Sequence, residues 1–218
     1  MRLHHGGVPI TPAVLPPPPI PPLTRGLTTG TTGTTVAAAI PGAPTIWGPR
    51  LWSLFHRLAE YSDRCDVLQM WFNWLQATAQ VMPCARCRGH LSAYLRANTV
   101  MKPRDIHTTT PTEFKDIIKR DLLKLHNDVN RRTGKSAFTF EALAPQYGAA
   151  SRGDAVRLAT QGVDELVRGW EPLLHVSISP RALAIWRGTA SMLIALIGGG
   201  PSTDCSTAPL PMGRGRRR

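Results

Sequence analysis

The sequence of 218 residues has no long, unbroken apolar run. A secretory signal needs such a run near its start, where this chain instead has four consecutive prolines at 16–19. The most apolar later stretch, 182–199, contains Arg187, and its continuous apolar part, 192–197, is too short to span a bilayer. We therefore expect no secretory signal and no firm membrane span, and we interpret 182–199 as a packed amphipathic helix.

Acidic residues are scarce: 14 Asp and Glu stand against 26 Lys and Arg, which gives a formal net charge of +12. Such an excess suits nucleic acids or anionic surfaces. No known nucleic-acid-binding motif accompanies it, so we expect no specific nucleic-acid partner. The densest basic block, at 214–218, is interpreted as a solvated tail, with non-specific phosphate binding or nuclear localisation as the alternatives.

Residues 1–46 lack Asp and Glu entirely and hold half of the 20 prolines. A segment of this composition cannot bury enough apolar surface to offset the entropy of ordering, so it is predicted to be a disordered tail. The Gly- and Pro-containing residues 201–218 are likewise predicted to be a flexible basic tail. The folded part is expected to consist of a main domain at 47–148 and an extra helical region at 149–200.

No stretch alternates with the period of two that a half-buried strand shows, and nothing repeats at a fixed period. Apolar residues instead recur at helical spacing. The predicted fold class is therefore all-α. The predicted helices cover 47–61, 66–82, 84–97, 112 to Gly134, a short fifth helix from Thr139 to near Pro145, then 154–170 and 180–197.

Cysteine is also rare, and the four cysteines include a single Cys-x-x-Cys, formed by Cys84 and Cys87 directly after Pro83. A helix N-terminus stabilises a thiolate, and Arg86 lies between the two cysteines. Alone, the pair fits a redox disulfide, two structural thiols, or half of a zinc site with His90. The sequence has no second Cys-x-x-Cys and no finger-like His pair, and the helical surroundings argue against a thioredoxin-like fold.

Three sequence blocks together resemble one family. They are WGPRLWSLFH at 47–56, PCARCRGH at 83–90 and LHNDVNRRTGK at 125–135. They match, in order, the W-G-x-x-x-W-x-x-x-H, P-C-x-x-C-x-x-H and L-H-N-x-V-N-x-x-x-G-K patterns of the Erv/ALR family of FAD-linked sulfhydryl oxidases. The resemblance covers 47–138.

The resemblance implies a four-helix bundle with a short fifth helix around FAD, and no metal site. It implies that a substrate dithiol attacks Cys84, that Cys87 passes electrons to FAD, and that O₂ accepts them to give hydrogen peroxide. The FAD-binding residues carried over are Gly48, Trp52, His56, Tyr61, His90, Tyr94, His126, Asn127, Asn130, Lys135 and Phe138.

The sequence departs from the family in its other cysteines. It lacks a second, shuttle pair and a structural disulfide to the fourth helix; Cys205 is a single tail thiol, and Cys65 is interpreted as buried and inert. This minimal pattern resembles the versions encoded by large DNA viruses. It implies a homodimer acting on a dithiol protein or thioredoxin-like partner, in the cytoplasm of an infected cell or in the virion. The alternatives are a zinc-stabilised binding module and a fold that has lost its activity.

Overall fold

The computed structural model describes residues 43–98, 110–149 and 151–201. Apart from one bridge between Leu174 and Ile178, the regular secondary structure in these ranges is helical, so the predicted all-α class is confirmed. The helices are α1 (Pro44–Ala59), α2 (Val67–Val81), α3 (Ala85–Ala97), α4 (Pro111–Arg132), α5 (Leu143–Tyr147), α6 (Arg152–Trp170), a 3-10 helix (Glu171–Leu173) and α7 (Pro180–Gly198). Cys205 and most of both predicted tails lie outside the described residues.

Local chemistry explains where the helices begin and end. The longest, α4, starts with a capping box, in which the Thr110 hydroxyl accepts from the Glu113 amide and the Glu113 carboxylate accepts from the Thr110 amide. Pro111 occupies its first turn, where an amide would have no helical partner. After α4, Gly134 has a φ of 69°, a left-handed conformation that favours glycine.

Two predicted boundaries were wrong. Helix α1 begins at Pro44, inside the segment 1–46 predicted to be disordered, because Trp47 is buried in the core and anchors the first turn. The fifth helix spans Leu143–Tyr147 instead of ending near Pro145. Pro145 lies in its first turn, where the missing proline amide costs no helical hydrogen bond.

The C-terminal helices share a core with the rest of the chain. Helix α7 packs on α2, α6 packs on α1, and α6 and α7 pack on each other. At the centre, the indole Nε1 of Trp186 donates to Thr78 Oγ1 at 2.9 Å, and Trp186 also contacts Trp74 and Trp170. The region 149–200 therefore completes the core over α1 and α2, where Trp71, Trp74 and Leu75 of α2 are fully buried.

A single arginine ties the start of α6 to two other parts of the fold. The Arg152 guanidinium donates to the Tyr61 carbonyl at 2.9 Å, the Ile197 carbonyl at 3.0 Å and the Asp63 carboxylate at 2.6 Å. Helix α7 itself is long and apolar enough to cross a membrane by length and composition, a criterion that core helices also meet. Its Leu183, Trp186 and Leu193 are buried against the core, in agreement with the packed helix predicted there.

Candidate functional site

The two cysteines of the Cys-x-x-Cys form a disulfide at the start of α3, with their Cα atoms 5.1 Å apart. Cys84 is the N-cap residue of the helix, and its Sγ accepts a hydrogen bond from the Cys87 amide at 3.1 Å. Both residues are half-buried. The predicted placement at a helix N-terminus is confirmed, and there the free amides and the helix dipole stabilise a thiolate when the disulfide opens.

The geometry gives a zinc site no support in the described part of the chain. Cys84 and Cys87 are joined to each other, whereas zinc is bound by free thiolates. Nowhere in the described ranges do three His, Cys, Asp or Glu side chains lie together as a metal site requires. Cys65 is 4% exposed, which confirms its predicted burial.

Side chains from α1, α4, α5 and the segment after α4 form a ring cluster, defined here as Trp52, His56, His126, Phe138 and Tyr147. The Trp52 and His126 rings are stacked, with centroids 4.1 Å apart and planes within 9°. His126 also lies 5.0 Å from Phe138, and His56 lies 4.8 Å from Tyr147. Residues distant in sequence thus meet in one set of aromatic faces.

The two imidazoles in the ring cluster are joined by a hydrogen bond of 2.9 Å between His56 Nε2 and His126 Nδ1. Burial, then the neighbouring His126 and Lys119, lowers the pKa of His56 from 6.5 to about 3. Burial, then Lys135, lowers the pKa of His126 from 6.5 to about 4. Both rings are therefore neutral at pH 7, with one donating to the other. His56 Nδ1 is buried and has no partner among the described residues.

A cleft of about 920 Å³ lies between α3 and α4, and its lining residues Asn127 and Ala137 are sequence neighbours of His126 and Phe138 in the ring cluster. Of the predicted residues, Tyr94, Asn127 and Lys135 line it, and Arg131 and Arg132 lie along it. Arg131 and Arg132 both pair with Asp128. The lining of the cleft therefore combines one aromatic ring, that of Tyr94, with several basic side chains.

The two predicted asparagines hold the chain that follows α4. The Asn127 amide donates to the Phe138 carbonyl at 2.9 Å and accepts from the Phe138 amide at 2.8 Å. Asn130 is 4% exposed and donates to the Ser136 carbonyl at 3.1 Å. These bonds position the Phe138 ring beside His126 and keep Lys135 at the cleft, so in this structure both asparagines act by positioning.

Three predicted site residues lie apart from these features. The Tyr61 hydroxyl donates to the Ala149 carbonyl at 2.7 Å, and the Tyr61 ring lies 5.4 Å from the Arg152 guanidinium. Gly48 is on α1, and a Cβ atom there would meet no other atom within 4 Å. His90 is half-buried on α3 and is not among the residues that form the ring cluster or line the cleft.

Sequence reasoning missed Tyr147, which is 5% exposed and stacks on His56. It was overlooked because the fifth helix was predicted to end near Pro145. The signal that could have found it is the tolerance of proline in a first helical turn, which lets the helix continue to Tyr147.

The part of the chain that carries these features is similar to known proteins. Residues 49–148 match the model of the Erv1/Alr family. The FAD-linked sulfhydryl oxidase of African swine fever virus, isolate Warthog/Namibia/Wart80/1980, is 22% identical over 136 residues, 58% of this chain and 98% of its own. A protein of Invertebrate iridescent virus 3 named for the same activity is 25% identical over 140 residues, 62% of this chain and 86% of its own.

No solved structure matches the chain. The match to the family model ends at residue 148, so α6 and α7 lie outside it although they share the core with α1 and α2. Within the matched range lie the Cys84–Cys87 disulfide, the ring cluster and the cleft. Residues 49–148 are therefore similar to the Erv1/Alr family, and this similarity includes the disulfide and the ring cluster.

Proposed function

We propose that this protein is an FAD-linked sulfhydryl oxidase in which Cys84 and Cys87 are the redox-active pair. The family and the viral relatives support an enzyme that oxidises thiols with FAD as cofactor. The observation that carries the residue assignment is the disulfide at the start of the helix that also lines the cleft. Cys87 and Tyr94 lie on one face of α3, about 10 Å apart along its axis.

The residues present fit an FAD. A cleft of about 920 Å³ is within the usual range for ligand sites, and the basic residues along it suit a diphosphate. The ring cluster offers aromatic faces to a planar ring. Trp52 and His126, whose rings are stacked 4.1 Å apart, would supply aromatic faces to hold that ring. The orphaned Nδ1 of His56 is a buried polar atom for the cofactor to satisfy.

The thiol chemistry belongs to the chain's own cysteines. A substrate thiolate attacks Cys84 Sγ, forming a mixed disulfide and releasing Cys87 as a thiolate. The second substrate thiol, as its thiolate, then attacks the substrate sulfur of that mixed disulfide. The substrate leaves as a disulfide, having lost two electrons and two protons, and the enzyme pair is left reduced. Bound FAD supplies the two-electron acceptor that restores the pair, with O₂ as final acceptor and hydrogen peroxide as product.

The test compares Cys84→Ser and Cys87→Ser with the wild-type protein in oxidation of dithiothreitol, followed as oxygen consumed. We expect both variants to lose the activity and to keep their yellow flavin absorption, because neither change removes a residue of the ring cluster or cleft. Cys65→Ala is the matched control and should retain activity, since Cys65 is buried outside the disulfide. Activity above a few per cent of wild type in either serine variant would refute the assignment, and a yellow wild-type protein inert towards dithiothreitol would indicate a fold without the activity.

The viral relatives suggest the setting. In it, the oxidase forms disulfides in viral proteins, directly or through a thioredoxin-like partner, in the cytoplasm of an infected cell or in the virion. Free thiols in virion proteins after deletion of the gene would support this setting, and a normal disulfide content would contradict it.

The homodimer also belongs to this proposal. Because α6 and α7 cover α1 and α2, a second subunit has to contact other surfaces of the chain. Light scattering on the purified protein tests the assembly, and a monomer at micromolar concentration would overturn it.

A further inference from the structure

The loop of residues 174–179 lies between the 3-10 helix and α7. Hydrogen bonds of one arginine connect this loop to the residues just before the disulfide. One atom makes the connection: Nη1 of Arg88 on α3 donates to the carbonyls of Met82 at 2.6 Å, Pro83 at 3.3 Å and Ser177 at 3.2 Å. Met82 and Pro83 immediately precede Cys84. Through Arg88, the C-terminal region is thus bonded to the two residues that precede Cys84.

The loop has a fixed shape. His175 has a φ of 64°, a left-handed conformation uncommon for a residue other than glycine. The His175 amide donates to the Ile178 carbonyl at 2.9 Å, and the Ile178 amide donates to the Leu173 carbonyl at 3.1 Å. Strained backbone held in this way by surrounding bonds clusters at functional sites. The turn presents Val176, whose side chain is 85% exposed.

A cavity of about 440 Å³ lies between this loop and α3, lined by Arg88 and residues 175–180. Its size is at the lower end of the range for ligand sites and suits a few side chains of an extended peptide. Val176, which is exposed and lines this cavity, offers an apolar contact to a bound segment. A rigid surface of this kind binds at a low entropic cost.

The same surface is positively charged. Neither 83–98 nor 172–198 contains an Asp or Glu, although Glu171 directly precedes the second segment, whereas Arg86, Arg88 and Arg181 lie on these segments. In the described part of the chain, Arg88 is bonded to carbonyl oxygens rather than to a carboxylate, so its charge is not neutralised there. A partner segment that carries negative charge is therefore attracted to the surface.

We propose that residues 174–179 form the docking surface for the substrate polypeptide, and that this surface selects dithiol segments with acidic residues beside their cysteines. Val176 contacts an apolar side chain of the segment, and the basic residues around the cavity face its carboxylates. The proposal rests on the oxidase function proposed above, and it assigns the choice of substrate to a loop outside the part that matches the family.

The test uses two reduced synthetic peptides, each with one Cys-x-x-Cys pair. Glutamates flank the pair in the first peptide, and lysines flank it in the second. Dithiothreitol serves as a small dithiol substrate for comparison. We expect the wild-type protein to have a several-fold higher kcat/KM for the glutamate peptide, through KM, with the preference shrinking as salt is raised. Val176→Glu should lower kcat/KM for the glutamate peptide about fivefold and leave dithiothreitol oxidation unchanged. The matched control is Met192→Glu, at an exposed position about 18 Å along α7 from Pro180, and it should behave as wild type.

Binding of fluorescent forms of both peptides, with serines in place of the cysteines, is measured alongside, because it does not depend on turnover. If dithiothreitol is not oxidised but Val176→Glu still weakens binding of the glutamate peptide, the oxidase function fails and the docking surface stands. Equal binding of the two peptides, or the same loss in Val176→Glu and Met192→Glu, would overturn the docking surface. A preference for the lysine peptide would overturn it as well.

Discussion

At the scale of single residues, the site depends on two histidines that are kept neutral. The hydrogen bond between His56 Nε2 and His126 Nδ1 needs one ring nitrogen to donate and the other to accept. Protonation of both rings would place two donors, and two like charges, 2.9 Å apart in a buried cluster. The fold therefore favours the uncharged pair, and this preference has a consequence for stability.

We expect the melting temperature to fall as the pH is lowered from 7 to 5. In the folded protein the pKa values of His56 and His126 are lowered to about 3 and about 4, against 6.5 for an ordinary histidine. Below pH 6.5 the unfolded chain binds protons that the folded chain does not, so the free energy of unfolding decreases. The contribution is fully present above pH 6.5 and is lost progressively towards pH 4.

Circular dichroism melts across this range provide the measurement. His126→Gln should flatten the profile between pH 7 and 5, because one of the two responsible groups is gone. His175→Asn, at an exposed histidine, should keep the wild-type slope. A melting temperature that is constant over this interval in the wild-type protein would show that the pair does not resist protonation.

At the scale of elements, α4 and the segment that follows it are held together by side-chain hydrogen bonds. The helix ends at Arg132, and beyond it Asn127 and Asn130 bond to the backbone of Phe138 and Ser136. Gly134 made the end of α4 predictable, since a left-handed glycine has a local sequence signal, whereas the start was predicted at residue 112 without the capping box that Thr110 forms. The contacts of Asn127 with Phe138 span 11 residues and depend on how the chain folds back. Sequence reasoning could therefore assign these residues to the site through the family motif but could not say which groups they bond.

We expect Asn127→Ala to lower both the flavin content and the thermal stability. The change removes two hydrogen bonds to the Phe138 backbone, and at about 1 kcal/mol each the free energy of unfolding should fall by about 2 kcal/mol. Absorption spectra and denaturant titrations supply the two measurements. Asn73→Ala, at an exposed asparagine on α2 that bonds only to Gln69 in the described part of the chain, is the control and should change neither. Full flavin occupancy in Asn127→Ala would indicate that flavin binding does not require the two hydrogen bonds between Asn127 and the Phe138 backbone.

At the scale of the whole molecule, one core is shared by the family-like part and by α6 and α7. The sequence predicted those helices, at 154–170 and 180–197, from apolar residues that recur at helical spacing. It could not predict their partners, because the contact between Trp186 and Thr78 joins residues 108 positions apart, and the one between Arg88 and Ser177 joins residues 89 positions apart. Periodicity indicates that a face is buried but carries no information about which helix covers it.

We expect Trp186→Ala to lower the free energy of unfolding by about 3–5 kcal/mol, because it opens a cavity and leaves Thr78 Oγ1 without its indole donor. The flavin content should fall with stability even though Trp186 lies outside the ring cluster and the cleft. The neighbouring Ile185→Ala, at a 53% exposed position on the same helix, is the control and should change stability by less than about 1 kcal/mol. Similar losses in the two variants would mean that α7 does not pack on α2 as described.

The late position of α7 in the chain also governs when the enzyme can mature. During translation α1 to α5 leave the ribosome first. At that point α7, which packs on Trp74 and Thr78 of α2, has not yet been synthesised. Until Trp186 arrives, these apolar surfaces are open to chaperones or to other nascent chains. We therefore expect flavin to bind only after α7 has been synthesised, and a premature stop ahead of α7 to lower the flavin content although Cys84, Cys87, His56 and His126 have already been translated.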